Sequence, residues 1–184
     1  AVWAEPVMSI WGIVHPIPGY DDKLRELCTK YGTLLIIDET HTICTGVGGY
    51  TKEYNLKPDM VVVGKTIAAG IPAGAYGFTE ELGKKVAAVI PPELCDIGGI
   101  GGTLAANALS MHAMKAVLSE VLTQDYYNKN IPLAVKFNEG IQSVIDKYDL
   151  PWNTTQLGCR TEYWFRKEPA MNGGEAEAAG GGRR

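Results

Sequence analysis

Residues 33–66 read TLLIIDETHTICTGVGGYTKEYNLKPDMVVVGKT and contain two short apolar runs, each followed by a charged residue. The first run ends at Asp38 and the second ends at Lys65. Continuous apolar runs of this length are typical of strands that helices cover on both faces. Ligands of open α/β sheets bind beyond the carboxyl ends of the strands. We therefore expect Asp38 and Lys65 to lie at a ligand-binding edge.

The rest of the chain alternates between strand and helix patterns. Strand-like stretches cover residues 1–4, 74–78 and 157–165. Apolar residues recur at helical spacing before Gly32, from Leu104 onwards and from about Pro132, and Asp21 or Asp22 is the expected N-cap of the first of these helices. The alternation predicts an α/β sheet. We place a subdomain boundary near Leu150 and Pro151, which divides the chain into residues 1–150 and 151–184.

Composition excludes several classes of protein. Of 184 residues, 46% are hydrophobic, and 17 basic against 21 acidic residues give a net charge of −4. That balance offers no cationic surplus for nucleic acid or an anionic membrane, and no apolar run approaches the roughly 18 residues of a membrane span. The four cysteines lack the spacing of metal ligands. We expect no metal, reduced thiols and a cytoplasmic location.

Both ends of the sequence have the character of a fragment. The chain begins with Ala1-Val2-Trp3 rather than with Met, and its first residues already form a strand pattern. From Gly173 onwards it is rich in Gly, Ala and Glu, which predicts a tail that does not pack. We therefore expect a piece of a larger domain.

Lys65 and Asp38 are the strongest candidates for chemistry. A carboxylate and an amine that finish neighbouring strands are costly to bury unless they pair or bind a ligand. One interpretation is an ordinary ion pair at the sheet edge. The other is that Lys65 is a nucleophile that forms a Schiff base, with Asp38 facing a cationic group of a bound ring. A phosphate-binding P-loop ending at Lys65 is excluded, because Asp59 stands where that motif requires glycine.

Several motifs in order carry a family resemblance. They are Glu5-Pro6, Asp38-Glu39-Thr40-His41-Thr42, Gly48-Gly49, Pro58-Asp59-Met60, the stretch GKTIAAGIPAGAYG at residues 64–77, and Gly102-Thr103-Leu104-Ala105-Ala106-Asn107. Together they resemble class III pyridoxal-phosphate-dependent aminotransferases, including the glutamate-1-semialdehyde aminomutases. The resemblance implies the large domain of a fold-type-I transferase, with a mostly parallel sheet flanked by helices, and the start of a small α+β domain after residue 150.

The resemblance also assigns roles to single residues. Lys65 matches the lysine that holds pyridoxal 5'-phosphate as a Schiff base and then moves a proton, and Asp38 matches the acid that pairs with the pyridine nitrogen. Thr40 matches a side chain packed against the ring, and His41 matches a position near the ring hydroxyl. Thr103 matches a threonine that reaches the cofactor phosphate of the neighbouring subunit, which implies a homodimer with shared active sites. Taken alone, Thr103 is also a candidate N-cap.

The implied reaction is transfer of an amino group between an amino acid or amine and a keto acid or aldehyde. Two alternatives stay open. One is intramolecular amino transfer in glutamate-1-semialdehyde, although the aminomutases usually show a Gly-Asn pair after Glu5-Pro6, whereas this chain has Val7-Met8-Ser9-Ile10-Trp11-Gly12. The other is a truncated, non-catalytic remnant, because the phosphate-binding segment and ring-stacking aromatic of the family precede the part that this chain matches. Arg160 is a candidate partner for a substrate carboxylate, or simply a surface residue of a strand.

Overall fold

The computed structural model describes residues 1–10, 12–90 and 101–179. In chain order the strands and helices are β1 (Val2–Ala4), α1 (Tyr20–Lys30), β2 (Leu35–Asp38), α2 (Gly49–Glu53), β3 (Met60–Gly64), β4 (Gly74–Phe78), α3 (Glu80–Val89), α4 (Ala108–Ala116), α5 (Gln124–Lys147), β5 (Asn153–Leu157), β6 (Arg160–Trp164) and α6 (Gly173–Ala179). Short 3₁₀ helices cover Thr42–Thr45 and Lys65–Ala68, and a π-helical turn, Val117–Val121, follows α4.

The larger sheet has four strands in the order β1-β2-β3-β4. The first three strands are parallel, with Val2 opposite Leu35 and Ile36 opposite Met60, whereas β4 runs antiparallel to β3. The predicted α/β architecture with a mostly parallel sheet is confirmed. Because β2 and β3 are parallel neighbours, their carboxyl ends lie at the same edge.

Two apolar clusters support this edge. Leu35 and Ile37 of β2 pack with Cys28 of α1 on one side of the sheet. The second cluster joins Val7, Ile13, Tyr50 and Leu157, and so links the segment after β1 to α2 and to β5. Full burial of one such side chain contributes about 1.5–3 kcal/mol, so the sheet edge rests on packing from both ends of the chain.

The beginning of α1 differs from the prediction. The N-cap is Gly19, with a left-handed backbone at φ +82°, rather than Asp21 or Asp22, and both aspartates fall in the first turn of the helix. There they still favour the helix through its dipole. Gly32 follows the helix with φ +60°, in agreement with its predicted role as the C-terminal stop.

The long helix α5 also begins earlier than predicted. It starts at Gln124, and the Thr123 hydroxyl accepts a hydrogen bond from the Tyr126 backbone N–H at 3.3 Å. Pro132, the expected start, lies inside the helix. A proline has no backbone N–H to donate to the carbonyl group one turn earlier, so it costs the helix one hydrogen bond. The cap and the packing of α5 on the β5–β6 hairpin outweigh that local cost. The helix α3, capped by Thr79, is not among those predicted from the sequence.

The last part of the chain corrects two further expectations. The single strand predicted at residues 157–165 is an antiparallel hairpin of β5 and β6, turning at Gly158 and Cys159. The tail expected not to pack forms α6 over Gly173–Ala179, where Ala176 is fully buried. The side chains of Asn172 and Glu175 hydrogen-bond each other, and the Asn172 carboxamide also accepts from the Glu175 N–H at 3.0 Å. This local capping starts the helix despite its glycines.

Some expectations cannot be compared with the fold. Cys95, for which a reduced thiol is expected, lies outside the described residues, as do Gly98 and Gly99 of the glycine-rich stretch before Thr103. The boundary near Leu150 stays a prediction, and α5 before it packs on the hairpin after it. Within the described ranges, no helix has both the length and the apolar character needed to cross a membrane.

Candidate active site

Lys65 occupies a strained position directly after β3. Its backbone is left-handed at φ +49°, and it opens a 3₁₀ helix whose Ile67 and Ala68 are completely buried. A non-glycine residue in this region costs about 1–3 kcal/mol and persists only where the surrounding structure holds it. The two buried side chains provide that hold. Such strain is found preferentially at functional sites, and Lys65 is one of the non-glycine residues with a left-handed backbone, with Asn55, Ala69, Ala106 and Asp149.

Asp38 ends the neighbouring strand and is fixed by two hydrogen bonds. Its Oδ2 accepts from Trp3 Nε1 at 3.2 Å, and its Oδ1 accepts from the Thr40 backbone N–H at 2.9 Å. Partial burial by itself would raise the pKa of Asp38, but the hydrogen bonds and the positive charge of Lys65 outweigh burial and bring the pKa below its usual value. Asp38 is therefore a carboxylate at neutral pH.

Lys65 and Asp38 interact electrostatically but do not form an ion pair. Among the described residues, neither takes part in an ion pair, and Lys65 makes no side-chain hydrogen bond. The alternative that the two residues form an ordinary ion pair is therefore wrong for this structure. An amine and a carboxylate held apart at one sheet edge leave room for a ligand that offers groups to both.

A pocket of about 300 Å³ opens beside Lys65. Of the residues predicted for the site, Thr40, His41 and Lys65 line it, and Asp38 lies next to it through Thr40. The remaining lining comes from distant parts of the chain and includes Cys44, Tyr126, Tyr127 and Arg160. Tyr127 is fixed because its hydroxyl donates to the Ile43 carbonyl at 2.8 Å. The pocket therefore joins the sheet edge to α5 and to the hairpin.

The loop after β2 is fixed by the buried carboxylate of Glu39. Glu39 is 3% exposed and accepts hydrogen bonds from Thr42 Oγ1 at 2.5 Å, from the Tyr50 N–H at 3.0 Å and from the Thr51 N–H at 2.5 Å. A Cβ on Gly49, where φ is +66°, would lie 2.5 Å from the Glu39 carboxylate. Glycine is therefore required at position 49.

Arg160 reaches the same pocket from β6. Its Nη2 donates to the Ser9 carbonyl at 2.8 Å, its Nη1 contacts Nδ1 of His41, and Glu162 pairs with the guanidinium. The turn before it is pressed against the loop after β2, because the Cys159 N–H donates to the Cys44 carbonyl at 3.0 Å. Arg160 is therefore at the site, and the interpretation as an uninvolved surface residue is wrong.

Ser9 lies beside the site although no sequence pattern indicates it, and it connects His41 to Glu5, which the sequence shows only as part of a motif. Ser9 is almost completely buried, and its hydroxyl lies 2.5 Å from Glu5 Oε2 and 2.9 Å from His41 Nδ1. The one available signal is that Ser9 falls in the segment where the chain departs from the aminomutase pattern. A single serine in such a segment does not reveal its partner 32 positions away.

Thr103 is not brought to this pocket. It is exposed and lies in a turn before α4. The N-cap of α4 is Asn107, whose side chain accepts from the Ser110 N–H at 3.0 Å, so the alternative that Thr103 caps this helix is wrong. Its expected role at the phosphate of a neighbouring subunit stays a prediction. In the described part of the chain, no group of His, Cys, Asp and Glu side chains could hold a metal ion.

The mostly parallel sheet, with a lysine and an aspartate at the carboxyl ends of adjacent strands, defines an α/β transferase-like site. The chain belongs to the class-III aminotransferase family, whose sequence model matches residues 1–162. This confirms the resemblance seen in its motifs.

Individual relatives agree with that assignment. The chain is 34% identical over 179 residues to a glutamate-1-semialdehyde 2,1-aminomutase 2 of Geobacillus thermodenitrificans, covering 94% of this chain and 39% of the relative. A glutamate-1-semialdehyde aminomutase of Pseudomonas aeruginosa, solved in complex with PMP, is 40% identical with a TM-score of 0.91, covering 97% of this chain and 40% of that one. An omega-transaminase of Sphaerobacter thermophilus is 26% identical with a TM-score of 0.81, covering 98% and 39%. The chain thus spans about 40% of the length of these relatives.

Proposed function

We propose that the complete protein is a pyridoxal-phosphate-dependent transaminase that moves an amino group between an amino acid or amine and a keto acid or aldehyde. The observation that carries the proposal is the state of Lys65. Its backbone is strained at φ +49°, its amine has no partner among the described residues, and the carboxylate of Asp38 ends the next strand. Membership of the class-III aminotransferase family supports it.

The residues present fit the cofactor. A free amine can bind its aldehyde covalently, and a carboxylate whose pKa is lowered can pair with a protonated pyridine nitrogen. When bound, pyridoxal phosphate supplies a ring that accepts electrons from the substrate carbon. We assign the covalent attachment to Lys65 and the pairing with the ring nitrogen to Asp38.

The remaining roles concern positioning and proton movement. Lys65 Nζ would hold the proton and move it to or from the reacting carbon of a bound substrate. Thr40 lies beside Asp38 and would pack against the bound cofactor, and His41 would donate a hydrogen bond to it. These assignments use side chains that line or adjoin one pocket. The orienting contacts reduce the entropy cost of reaching a reactive geometry.

We further propose a homodimer with shared sites, in which Thr103 meets the phosphate bound by the other subunit. The support is that Thr103 is exposed, is not used as a helix cap and lies outside its own chain's pocket. The thiols of Cys28, Cys44 and Cys159 are free, which is compatible with the proposed cytoplasmic location.

Borohydride reduction tests the central assignment. The complete protein, loaded with pyridoxal phosphate, is reduced so that the bond between lysine and cofactor becomes permanent, and the labelled peptide is mapped. We expect the label on Lys65 and its loss in Lys65→Ala. The matched control Lys52→Ala removes an exposed lysine and should keep the label. A label on any other lysine contradicts the proposal.

Glutamate-1-semialdehyde aminomutase activity is a second candidate, favoured by the names of the relatives at 34% and 40% identity. Conversion of that substrate without an added keto acid would support it, whereas a strict requirement for a keto acid would exclude it.

A non-catalytic remnant is a third candidate, favoured by the 39% of the relative's length that the chain spans. If the natural product of this sequence shows no visible absorption band after addition of pyridoxal phosphate, this candidate replaces the transaminase.

A further inference from the structure

His41 is held through its Nδ1 nitrogen by two other segments of the chain. Its Nδ1 lies 2.9 Å from the Ser9 hydroxyl and also contacts Nη1 of Arg160, although these residues are 32 and 119 positions away in the sequence. The Ser9 hydroxyl in turn contacts Glu5. Three separate segments of the chain therefore meet at one nitrogen of one imidazole ring.

Arg160 decides which nitrogen of that ring carries the proton. A guanidinium has only donors and keeps its charge in proteins. An Nδ1 that contacts it must therefore be the acceptor, and it carries a lone pair rather than a proton. The Ser9 hydroxyl donates its proton to Glu5, so its contact with Nδ1 would by itself favour a proton on Nδ1. The contact with Arg160 outweighs it, because a hydrogen bond from a charged donor is about twice as strong as one between neutral groups.

The guanidinium itself is anchored on both sides. Its Nη2 donates to the Ser9 carbonyl at 2.8 Å, and Glu162, two residues further along β6, neutralises its charge. With these contacts and the His41 contact in place, two of its nitrogens are already engaged. The geometry therefore favours a role through His41 over direct capture of a substrate carboxylate.

The opposite nitrogen of His41 is left for a ligand. No side chain or carbonyl among the described residues hydrogen-bonds Nε2, and the ring lines the pocket that contains Lys65. Burial lowers the pKa of His41, and the charges of Lys65 and Arg160 lower it further, against the opposing effects of Glu5 and Asp38. The imidazole is therefore neutral at pH 7.

We infer that Arg160 is a positioning residue that fixes His41 in the tautomer with the proton on Nε2, so that Nε2–H donates a hydrogen bond to an anionic oxygen held beside Lys65. The inference rests on the proposed function, which supplies such an oxygen either on the cofactor ring or on the substrate carboxylate. A neutral donor of fixed direction serves this purpose without adding a third positive charge to a pocket that already contains Lys65 and Arg160.

The tautomer can be measured without any catalysis. Long-range ¹H–¹⁵N NMR of the complete protein, with ¹⁵N-labelled histidine and no cofactor, distinguishes protonated from unprotonated ring nitrogens, and His41→Leu identifies the signals of His41. We expect Nε2 to be protonated and Nδ1 to be unprotonated. Protonation at Nδ1 in the unsubstituted protein overturns the inference, whatever the variants do.

Variants of Arg160 test its part in this arrangement. Arg160→Met should give a mixture of the two tautomers, and Arg160→Lys, which keeps a charged donor, should restore the Nε2–H form at least in part. Lys167→Met removes an exposed positive charge nearby in sequence and should leave the spectrum of His41 unchanged. An unchanged tautomer in Arg160→Met overturns the inference. If that variant does not fold, the spectra of the unsubstituted protein and of Arg160→Lys decide.

A double-variant cycle separates positioning from direct substrate contact. Arg160→Met should slow the amino-transfer half-reaction about tenfold through loss of an oriented donor, with no further loss when it is added to His41→Leu. Additive losses, with a raised KM for acidic substrates, would show that Arg160 binds substrate itself and would overturn the inference.

The NMR signal of Nε2–H identifies the oxygen that it contacts. A shift on addition of pyridoxal phosphate alone assigns the oxygen to the cofactor, and a shift only after addition of glutamate assigns it to the substrate. No shift in either case overturns the inference. If Lys65 takes no label but the Nε2–H form is present and depends on Arg160, the proposed function has failed while the tautomer assignment stands.

Discussion

Asp38 and Lys65 end neighbouring parallel strands at one edge of the sheet, without forming an ion pair. In the register of β2 and β3, Asp38 lies opposite Val62, so that Lys65 follows its partner by three residues. Burial alone would raise the pKa of Asp38, but hydrogen bonds from Thr40 and Trp3, together with the positive charge of Lys65, lower it. A ligand that offers a cation to the carboxylate and an electrophile to the amine would fill this gap.

Replacement of Asp38 tests the charge at the first of these positions. We expect Asp38→Asn to slow the amino-transfer half-reaction of the complete protein by on the order of 10²-fold, because a neutral amide loses a charge-assisted hydrogen bond. Rapid-mixing spectroscopy measures this rate. Asp22→Asn, at an exposed position in α1, is the control and should react normally. A normal rate in Asp38→Asn would show that Asp38 does not face the ring.

Glu39 is expected to be a structural residue rather than a catalytic one. Glu39→Gln places an N–H group among donors from Thr42, Tyr50 and Thr51. We expect the free energy of unfolding to fall by about 1–3 kcal/mol, as measured by urea denaturation. The matched control Glu53→Gln, at an exposed position, should stay within about 0.5 kcal/mol of the unsubstituted protein. Equal stability of the two variants would contradict the role of the buried carboxylate.

The ion pair of Arg25 and Asp59 makes stability depend on pH. Arg25 Nη1 and the Leu35 N–H donate to Asp59 at 2.8 and 2.7 Å. Burial alone would raise the pKa of Asp59, but these donors outweigh it and bring the pKa below its usual value of 3.8. A carboxyl group with a lowered folded-state pKa stabilises the protein above the unfolded-state pKa, and this contribution is lost as the pH falls through the folded-state pKa.

We therefore expect Asp59→Asn to lose about 1–3 kcal/mol of unfolding free energy at neutral pH. The difference from the unsubstituted protein should shrink as the pH falls below 3.8, and urea denaturation over a pH series measures it. Glu26→Gln breaks an exposed ion pair with Lys23 and should change stability by less than about 1 kcal/mol at any pH. A difference for Asp59→Asn that is constant across the series would contradict the assignment.

The turn of the β5–β6 hairpin requires glycine at position 158. A Cβ there would lie 2.2 Å from the Cys44 carbonyl oxygen, and φ is +54°. We expect Gly158→Ala to cost about 1–3 kcal/mol and to disturb the Nε2–H tautomer of His41, since the turn carries Arg160. Calorimetry and the histidine NMR spectrum measure the two effects. Gly140→Ala, where a Cβ meets open space in α5, should be neutral or stabilising by up to about 1 kcal/mol; similar losses in both variants would count against the clash.

The sequence alone predicted the parallel strands β2 and β3 and the charged residues that follow them. A short apolar run predicts a strand from neighbouring residues alone, and Asp38 and Lys65 were found as the charged residues that end two such runs. The start of α5 could not be predicted, because the cap at Thr123 and packing on the hairpin outweigh the local preference of Pro132. The N-cap of α1 also differed from the prediction. Gly19 takes the cap position in a left-handed conformation, and the two aspartates lie inside the first turn of the helix.

Tertiary structure decided the surroundings of the site. Ser9, His41 and Arg160 come from three segments, and Arg160 meets Ser9 across 151 positions of sequence. No periodicity or motif encodes such a contact, because it depends on how the hairpin packs against the loop after β2. The sequence thus determined that a carboxylate and an amine follow neighbouring strands, and the packing of distant segments determined which side chains line the pocket and what His41 contacts.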